Sequence, residues 1–445
     1  MGQRVSRRAA LASAAAAAAL PLVHIRSAGA AGNLRIGLWD HWVPAGNAAM
    51  KTLIDGWAEK NKVEVSIDFI TSVGDKLGLT AAAEAQAKTG HDAITFWIWD
   101  AHNYARSLEP VDDVVEGLIK QYGQVNPVNE YLSKVDGHWR VVPSSSGTQY
   151  KTCCGRISAF AKAGVDLQAM YPAKPEHIAL SDGWTWQKLL EIAPVAQQVG
   201  LPFALGLGQT GDSIDFVGAL FRAFGAELVN AKGEITVDSD PVRAALEYMA
   251  KLTRHMPRDV FSYDDASNNR ALIAGKSALI FNPPSAWAVA KRDKPAVAAD
   301  CWTFPAPSGL SGRFVPYAPS FWGIWSFAKN KTAAKELFTW LCQREQVEAL
   351  CGAVDGYDIP PFLSMSDFDI WAEIGPPPGT VYNYPIRPWH NSAPSIAGYP
   401  APPEIAVQMY YRGTMMTMIA KMIHGGQSMK DAIAWASNEL EGFTR

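Results

Sequence analysis

The sequence has no marked surplus of charge of either sign. Its 445 residues include 40 Lys and Arg against 43 Asp and Glu, which gives a formal net charge of -3 at pH 7. Proteins that bind nucleic acid or an anionic membrane surface carry basic patches and are usually basic overall. We therefore expect no nucleic-acid partner.

Cysteine is scarce as well. The chain has five cysteines, and an odd number excludes complete disulfide pairing. Cys153 and Cys154 are adjacent and poorly placed to bridge each other. Cys342 and Cys351 either pair across a helix end or remain, like Cys301, free buried thiols, and the sequence leaves both alternatives open. No CxxC pair and no Cys/His spacing typical of zinc occurs, so we expect no metal and no other cofactor.

The motifs of several enzyme classes are missing. The sequence contains no GxSxG elbow, no HExxH pair and no Walker-type loop. It also shows no repeat of 20–50 residues, which argues against solenoids and propellers. A secreted glycan-active hydrolase needs only two carboxylates roughly 5–10 Å apart. Such a hydrolase therefore remains the alternative to a non-enzymatic binding protein.

The N-terminal apolar stretch, Ala9–Val23, is too short and too weakly hydrophobic for a transmembrane helix, which needs about 20 strongly apolar residues. Arg4 and the pair Arg7-Arg8 precede it, and Ala28-Gly29-Ala30 offers the small residues that a signal peptidase needs. We interpret residues 1–31 as a cleavable export signal. The arginine pair resembles the twin-arginine signal, and the general secretory route stays open. No Cys follows to carry a lipid anchor, so we expect an unanchored protein in the periplasm.

Aromatic residues are what the sequence has in abundance: 16 Trp, 14 Tyr and 17 Phe. Most of them must pack in the interior, but several Trp stand beside Gly, Pro, Asp or Asn, which is typical of loops. A loop Trp with polar neighbours suits a ligand that offers both CH faces and hydroxyl groups. The length exceeds what one ordinary core holds and indicates two lobes.

The first hundred residues after the signal alternate between strand and helix patterns. We predict strands at 34–39, 63–70 and 93–99, with helices at 48–61 and 76–89 between them. A β-α-β-α-β order predicts an α/β fold with a doubly wound, mainly parallel sheet flanked by helices. In such sheets, ligands bind outside the carboxyl ends of the strands. The loops that follow the first and third strands are therefore the first places to look for a site.

Later segments carry a similar mixture. Asp136-Gly137 predicts a hairpin turn, and Thr185 caps a predicted helix at 186–198. A short buried strand is predicted at 277–281, followed by a loop that contains Trp287.

Six segments, taken in order, resemble the extracellular solute-binding proteins of ABC importers, of the maltose-binding and glycerol-3-phosphate-binding type. They are residues 136–143 (DGHWRVVP), 160–166 (FAKAGVD), 185–190 (TWQKLL), 274–279 (AGKSAL), 333–338 (AAKELF) and 423–432 (IHGGQSMKDA). The sequence departs from the family pattern at 150–154 (YKTCC) and in the Pro-rich stretch 375–403. These departures concern the ligand more than the fold.

The resemblance implies a two-lobed α/β protein in which each lobe has a doubly wound, mainly parallel sheet flanked by helices. The ligand cleft lies between the lobes and closes on a solute, because only the closed state lets both lobes touch it. It places residues 33–142 and 301–346 in lobe one, and residues 143–300 and 347–445 in lobe two. It also implies ABC importer permease subunits as partners. We expect a monomer that captures a sugar, a polyol or a phosphorylated derivative.

The candidate ligand-binding residues come mainly from loops after strands. Trp287 and Trp322 are the candidate stacking platforms, and Asp40 and Asp100 the candidate acceptors for sugar hydroxyls. Arg387 either anchors a carboxylate or phosphate or forms an ordinary surface salt bridge, so a neutral and an anionic ligand both remain open. The full set is Asp40, His41, Trp42, Trp99, Asp100, Ser145, Asn282, Trp287, Tyr317, Ser320, Trp322, Tyr357 and Arg387.

Overall fold

The computed structural model describes residues 33–171, 182–282, 285–370 and 392–444. The predicted export signal, Arg387 and most of the Pro-rich stretch lie outside these residues. The chain from Asn33 onward forms one compact unit. Among the described residues, no helix combines the length and the apolar character that crossing a bilayer requires.

The first sheet is built around three parallel strands. Strand β1 (Leu34–Trp39) lies between β2 (Val65–Ile70) and β3 (Ala93–Trp97) and pairs with both in parallel. Five of the six residues of β1 are buried, as expected for a central strand covered on both faces. The predicted β-α-β-α-β order is confirmed, with strand ends that differ from the predicted ones by at most two residues.

One long strand, β11 (Gly312–Ile324), extends this sheet. It pairs antiparallel with β3 and also with β6 (Val142–Tyr150). At the end of β6 the chain continues directly into β7 (Cys153–Arg156), which belongs to a second sheet. Strands β10 (Ser308–Gly309) and β12 (Ala393–Ser395) also pair with β11. Strands β4 (Lys134–Val135) and β5 (His138–Trp139) form the predicted hairpin.

The second sheet has three described strands. Strand β7 pairs antiparallel with β8 (Leu279–Phe281) on one side and with β9 (Cys301–Phe304) on the other. The predicted boundary at 301 assigns β9 to lobe one, but its pairing attaches it to this second sheet. The predicted boundary at 347 falls inside one continuous helix, Arg344–Ala353.

Helices surround both sheets, and the predicted α/β fold class is confirmed. The described strands of the second sheet pair antiparallel, so the predicted mainly parallel pairing does not hold for that sheet. Helices α1 (Pro44–Asn61), α2 (Lys76–Ala87) and α3 (Asp100–Asn103) follow strands β1, β2 and β3 in the chain. The others are Asp112–Tyr122, Pro127–Ser133, Ile157–Lys162, Leu167–Met170, Trp186–Gln198, Gly211–Phe224, Asp240–Leu252, Ser267–Ile273, Ser285–Asp293, Pro295–Ala298, Lys331–Leu341, Arg344–Ala353, Pro403–Tyr411, Thr414–Ile423 and Met429–Glu441.

A local signal explains where one helix begins. The hydroxyl of Thr185 accepts a hydrogen bond from the amide of Lys188, which caps the helix that begins at Trp186, as predicted.

All five cysteines are free and buried, which decides between the two alternatives for Cys342 and Cys351.

Candidate functional site

A cavity of about 820 Å³ opens where β1 and β3 end. Its volume is typical of pockets that enclose a small organic ligand. The first sheet and its loops supply one wall, which we call the aromatic wall: Trp39, Asp40, His41, Trp42, Asp75, Trp97 and Asp100. Segments around the second sheet supply the other, which we call the polar wall: Lys151, Thr210, Asp212, Asp264, Asp265, Asn269 and Asn282. The rest of the lining includes Gln149, Tyr263, Tyr357, Tyr410 and Tyr411.

The structure brings together about half of the residues predicted from sequence. Those that line the cavity are Asp40, His41, Trp42, Asp100, Asn282 and Tyr357. Those that do not are Trp99, Ser145, Trp287, Tyr317, Ser320 and Trp322, all of them buried. Arg387 lies outside the described residues.

Trp287 and Trp322, the predicted stacking platforms, are not in loops. Trp322 lies within β11, is 1% exposed, and stacks on Phe338 with ring centroids 5.0 Å apart. Trp287 lies in the helix Ser285–Asp293, 4% exposed, with the ammonium of Lys291 above its ring. Small and Pro neighbours suggested loop positions, but the strand and the helix continue through them and both indoles pack in the interior.

The other four buried residues lie in the interior of the protein. The indole nitrogen of Trp99 donates to the carbonyl of Ala397. The Tyr317 hydroxyl donates to Asn129. Ser145 and Ser320 lie in the paired strands β6 and β11, which are covered on both faces.

Trp39 and Trp97 form the core of the aromatic wall and were missed by the sequence analysis. Their rings meet edge to face, with centroids 5.3 Å apart. Gly147 of β6 lies behind them with a φ of 89°, and a Cβ atom at this position would stand 2.7 Å from the Trp97 ring. A larger residue at 147 would therefore push Trp97 toward the cavity. Trp39 and Trp97 end their strands, and this position was the signal that could have identified them.

His41 fastens the loop after β1 and does not offer a free nitrogen to the cavity. Its Nδ1 accepts from the amide of Val43 at 2.9 Å, which leaves the protonated Nε2 to donate to Asp358 at 3.0 Å. The ring also lies so close to Gly46 that a Cβ there would approach it to 2.7 Å. His41 thus positions Trp39 and Trp42 on either side of it.

Asp100 begins α3 at the end of the aromatic wall. Its carboxylate accepts from the amide of Trp97 at 2.8 Å and from the hydroxyl of Tyr411. Burial raises the pKa of Asp100 to about 6, and the nearby charge of Asp75 adds to this effect. No cation of the described residues forms a salt bridge with it.

Lys151 anchors the polar wall. Its ammonium lies 2.8 Å from Asp212 and 2.6 Å from Asp215, and its side chain is 6% exposed. Burial alone would lower the pKa of Lys151, but the two carboxylates outweigh it and raise the pKa. Burial raises the pKa of Asp215, and the charge of Asp212 adds to this effect, while Lys151 opposes it without cancelling it. Lys151 belongs to the segment that departs from the family pattern, and that departure was its signal.

Asparagines extend this cluster. The amide nitrogens of Asn268 and Asn282 each donate to Asp212 at 3.0 Å. Asp265 follows in the same wall, where it accepts from the amide of Asp212. Burial, and then the charge of Asp212, raise the pKa of Asp265 to about 6. The polar wall therefore offers hydrogen-bond acceptors and amides, while the aromatic wall offers ring faces.

The cavity can hold a hydroxylated organic molecule by its chemistry. Aromatic faces cover CH groups, and carboxylates and amides bind hydroxyls. Among the described residues, no group of three or more His, Cys, Asp or Glu side chains is arranged to hold a metal ion.

Comparison with known proteins agrees with this description. No curated protein matches the sequence. Three solved structures share the fold: maltose-bound MalE3 from T. maritima (18% identity, 92% of this chain and 99% of that one, TM-score 0.74), a Thermotoga lettingae solute-binding protein with α-D-tagatose (16%, 93% and 100%, 0.74), and an Agrobacterium vitis solute-binding protein with D-mannitol (18%, 92% and 97%, 0.66). A family model described as bacterial extracellular solute-binding protein matches residues 52–375, which is more than half of the chain. The chain therefore belongs to the family of bacterial extracellular solute-binding proteins.

Proposed function

We propose that this protein is the substrate-binding subunit of an ABC importer and that it captures a sugar or polyol-like solute in the cavity between the aromatic wall and the polar wall. The solute is then delivered to the permease subunits in the membrane. The observation that carries the proposal is the cavity of about 820 Å³, which combines Trp39, Trp42 and Trp97 with a row of carboxylates and amides. A buried hydroxyl without a partner costs about 1–3 kcal/mol, so a pocket for a polyol needs many paired polar groups.

The neighbours in structure support the choice of solute class. The three structures described above hold maltose, tagatose and mannitol, which are sugars or a polyol. Their sequences are less than a fifth identical to this one, so they support the class of solute and not its identity.

The proposal includes where and how the protein acts. Residues 1–31 export it to the periplasm, by the twin-arginine or the general secretory route, and the mature protein is an unanchored monomer. The two lobes predicted from sequence, with β9 reassigned to the second, close on the solute. The aromatic wall and the polar wall are then the surfaces that each lobe presents.

A thermal-shift screen of the purified mature protein against sugars, polyols and sugar phosphates tests the proposal. A solute that binds only the native state stabilises it by about 2.7 kcal/mol at a hundredfold excess over Kd. We expect at least one sugar or polyol to raise the melting temperature in a dose-dependent way. If no member of the screen does so, the proposed solute class is wrong.

The same solute also distinguishes a binding protein from the hydrolase alternative. We propose that the protein binds without converting its solute. The stabilising solute, incubated with catalytic amounts of protein and followed by chromatography, should be recovered unchanged. Turnover at a catalytic rate would support the hydrolase, whose two carboxylates would then be sought among the cavity aspartates.

A further inference from the structure

The charges in the cavity are strongly unbalanced. Six aspartates line it, but Lys151 is the one lysine and no arginine or glutamate appears among the described lining residues. The six are Asp40, Asp75, Asp100, Asp212, Asp264 and Asp265. A cavity with this lining has a negative potential, which its poorly solvated walls concentrate.

Only part of this charge is neutralised by the protein. Lys151 pairs with Asp212, but it shares its ammonium with Asp215 behind the wall. Asp264 forms a salt bridge with Arg270, 2.6 Å away. Asp100 and Asp265, in contrast, have neutral hydrogen-bond donors and no salt bridge to a cation of the described residues.

Asp100 and Asp265 both line the cavity, Asp100 on the aromatic wall and Asp265 on the polar wall. Asp100 accepts from the hydroxyl of Tyr411, which also lines the cavity. Burial raises the pKa of both carboxyls to about 6, so ionising them near neutral pH costs the solute-free protein free energy. A positive charge beside these carboxylates would reduce this cost.

A second observation, independent of the aspartates, also favours an organic cation. The rings of Trp39, Trp42 and Trp97 line the same space, and aromatic faces attract organic cations.

A metal ion does not fit these residues as well as an organic cation does. No group of three or more metal-binding side chains is assembled in the described part of the chain. The cavity is also far larger than one ion needs. The positive charge should therefore belong to a molecule that also fills the space and contacts the rings.

We propose that the cavity takes a hydroxylated solute that carries a protonated amine, an amino sugar or an amine-bearing oligosaccharide, with its ammonium group beside Asp100 and Asp265. This inference rests on the proposed function, because it names the charge of the solute bound at the same site. It disfavours the anionic and phosphorylated solutes that the sequence analysis left open.

Matched sugars test the inference by isothermal titration calorimetry on the full mature protein at pH 7. The probes are D-glucosamine, N-acetyl-D-glucosamine and D-glucose, the corresponding galactose series, and the disaccharide of glucosamine with its diacetylated form. We expect at least one amine to bind tenfold or more tightly than both of its neutral counterparts. This preference should decrease as ionic strength rises from 20 to 500 mM, because salt screens the attraction.

Variants locate the effect. Asp100→Asn and Asp265→Asn keep the shape of each side chain while removing its charge, and together they should reduce the preference to less than threefold. Asp55→Asn changes the net charge by as much as either single variant but lies in an exposed pair with Lys51 on α1, so it should leave the preference unchanged. Circular dichroism confirms that each variant is folded.

The outcomes separate this inference from the proposed function. If a neutral sugar binds as tightly as its amine, the inference is wrong while the sugar-binding function stands. If the amine preference survives in the double variant, its placement beside Asp100 and Asp265 is wrong. If neither the matched probes nor the wider screen yields a ligand, the proposed function fails and the inference fails with it.

Discussion

The two walls of the cavity are built in different ways. The aromatic wall stands on strand ends: Trp39 and Trp97 close β1 and β3, and their loops carry Asp40 and Asp100. The polar wall stands on the first turns of helices and on loops around the second sheet, and a buried Lys151 holds its carboxylates together. The aromatic wall is thus held by packing and the polar wall by charge. We therefore expect different substitutions to disrupt the two walls.

This difference also decides how each wall contributes to binding. Rings packed against a sheet are already in place before the solute arrives, so they contribute shape. Carboxylates that repel one another in the empty cavity gain most when a donor or a cation enters. We therefore expect changes in the rings of the aromatic wall to act on affinity for all sugars, and changes in the carboxylates of either wall to act on selectivity as well.

The largest effect should come from removing the cation of the polar wall. Lys151→Met leaves Asp212 and Asp215 buried without their ammonium, and breaking such a pair typically costs about 3–5 kcal/mol. We expect this loss in the free energy of unfolding measured by urea at pH 7. The loss should be smaller at pH 5, since the pKa of Asp215 is already raised and the orphaned acids take up protons more readily there.

The control is Lys51→Met, which removes an exposed partner of Asp55 and should cost less than about 1 kcal/mol. Adding Asp215→Asn to Lys151→Met should restore part of the stability, because it removes one of the unpaired charges. Equal losses in the two lysine variants would mean that Lys151 does not hold the polar wall together.

The same division separates what the sequence predicts from what it does not. An alternating pattern gave the position of β1 and a short apolar run that of β3, and the rule that ligands bind at strand ends then led to Asp40 and Asp100. Lys151, Asp212 and Asp265 are far apart in the chain, and their charges meet only through tertiary packing. No local pattern carries that information. The unusual segment 150–154 marked the place, but its chemistry is visible only once Asp212 and Asp215 are beside it.

Trp322 is the opposite case, a residue that the sequence analysis placed in the site and that lies in the core. Its neighbours Pro319 and Ser320 suggested a loop, but strand β11 runs through both with a register shift at this point. A bulge accommodates such residues without ending a strand, and sequence periodicity cannot distinguish it from a loop.

The second prediction compares this core tryptophan with one at the cavity. Trp322→Ala should cost about 3–5 kcal/mol of stability, because the indole is 1% exposed and stacks on Phe338. Trp42→Ala should cost clearly less, since its ring is only partly buried and lines the cavity. It should instead weaken the binding of the sugar or polyol found in the screen. Urea denaturation and calorimetry on both variants provide the measurement.

Either half of this comparison can be contradicted separately. If Trp42→Ala unfolds as readily as Trp322→Ala, the aromatic wall is part of the core and not a preformed surface. If Trp322→Ala leaves stability nearly unchanged but abolishes binding, Trp322 is a ligand-binding residue and not a core residue.

The smallest predicted effect concerns pH and involves one carboxyl group of each wall. Burial raises the pKa of Asp100 and of Asp265 from 3.8 to about 6, so the native protein binds more protons than the unfolded chain between these values. If fully shielded from water, the two groups would cost the solute-free protein about 4–5 kcal/mol of stability as pH rises from about 4 to 6.5. Because both side chains are partly exposed, we expect a loss of about 1–2 kcal/mol. Urea denaturation of the double variant Asp100→Asn, Asp265→Asn should show a flatter pH profile over this window. Other carboxyls with lowered pKa values, such as Glu84 and Asp112, act in the opposite direction, so the difference between the two profiles is the quantity to measure. Parallel profiles would mean that the two carboxylates are as well solvated as exposed ones, and the cavity would then have no electrostatic need for a cation.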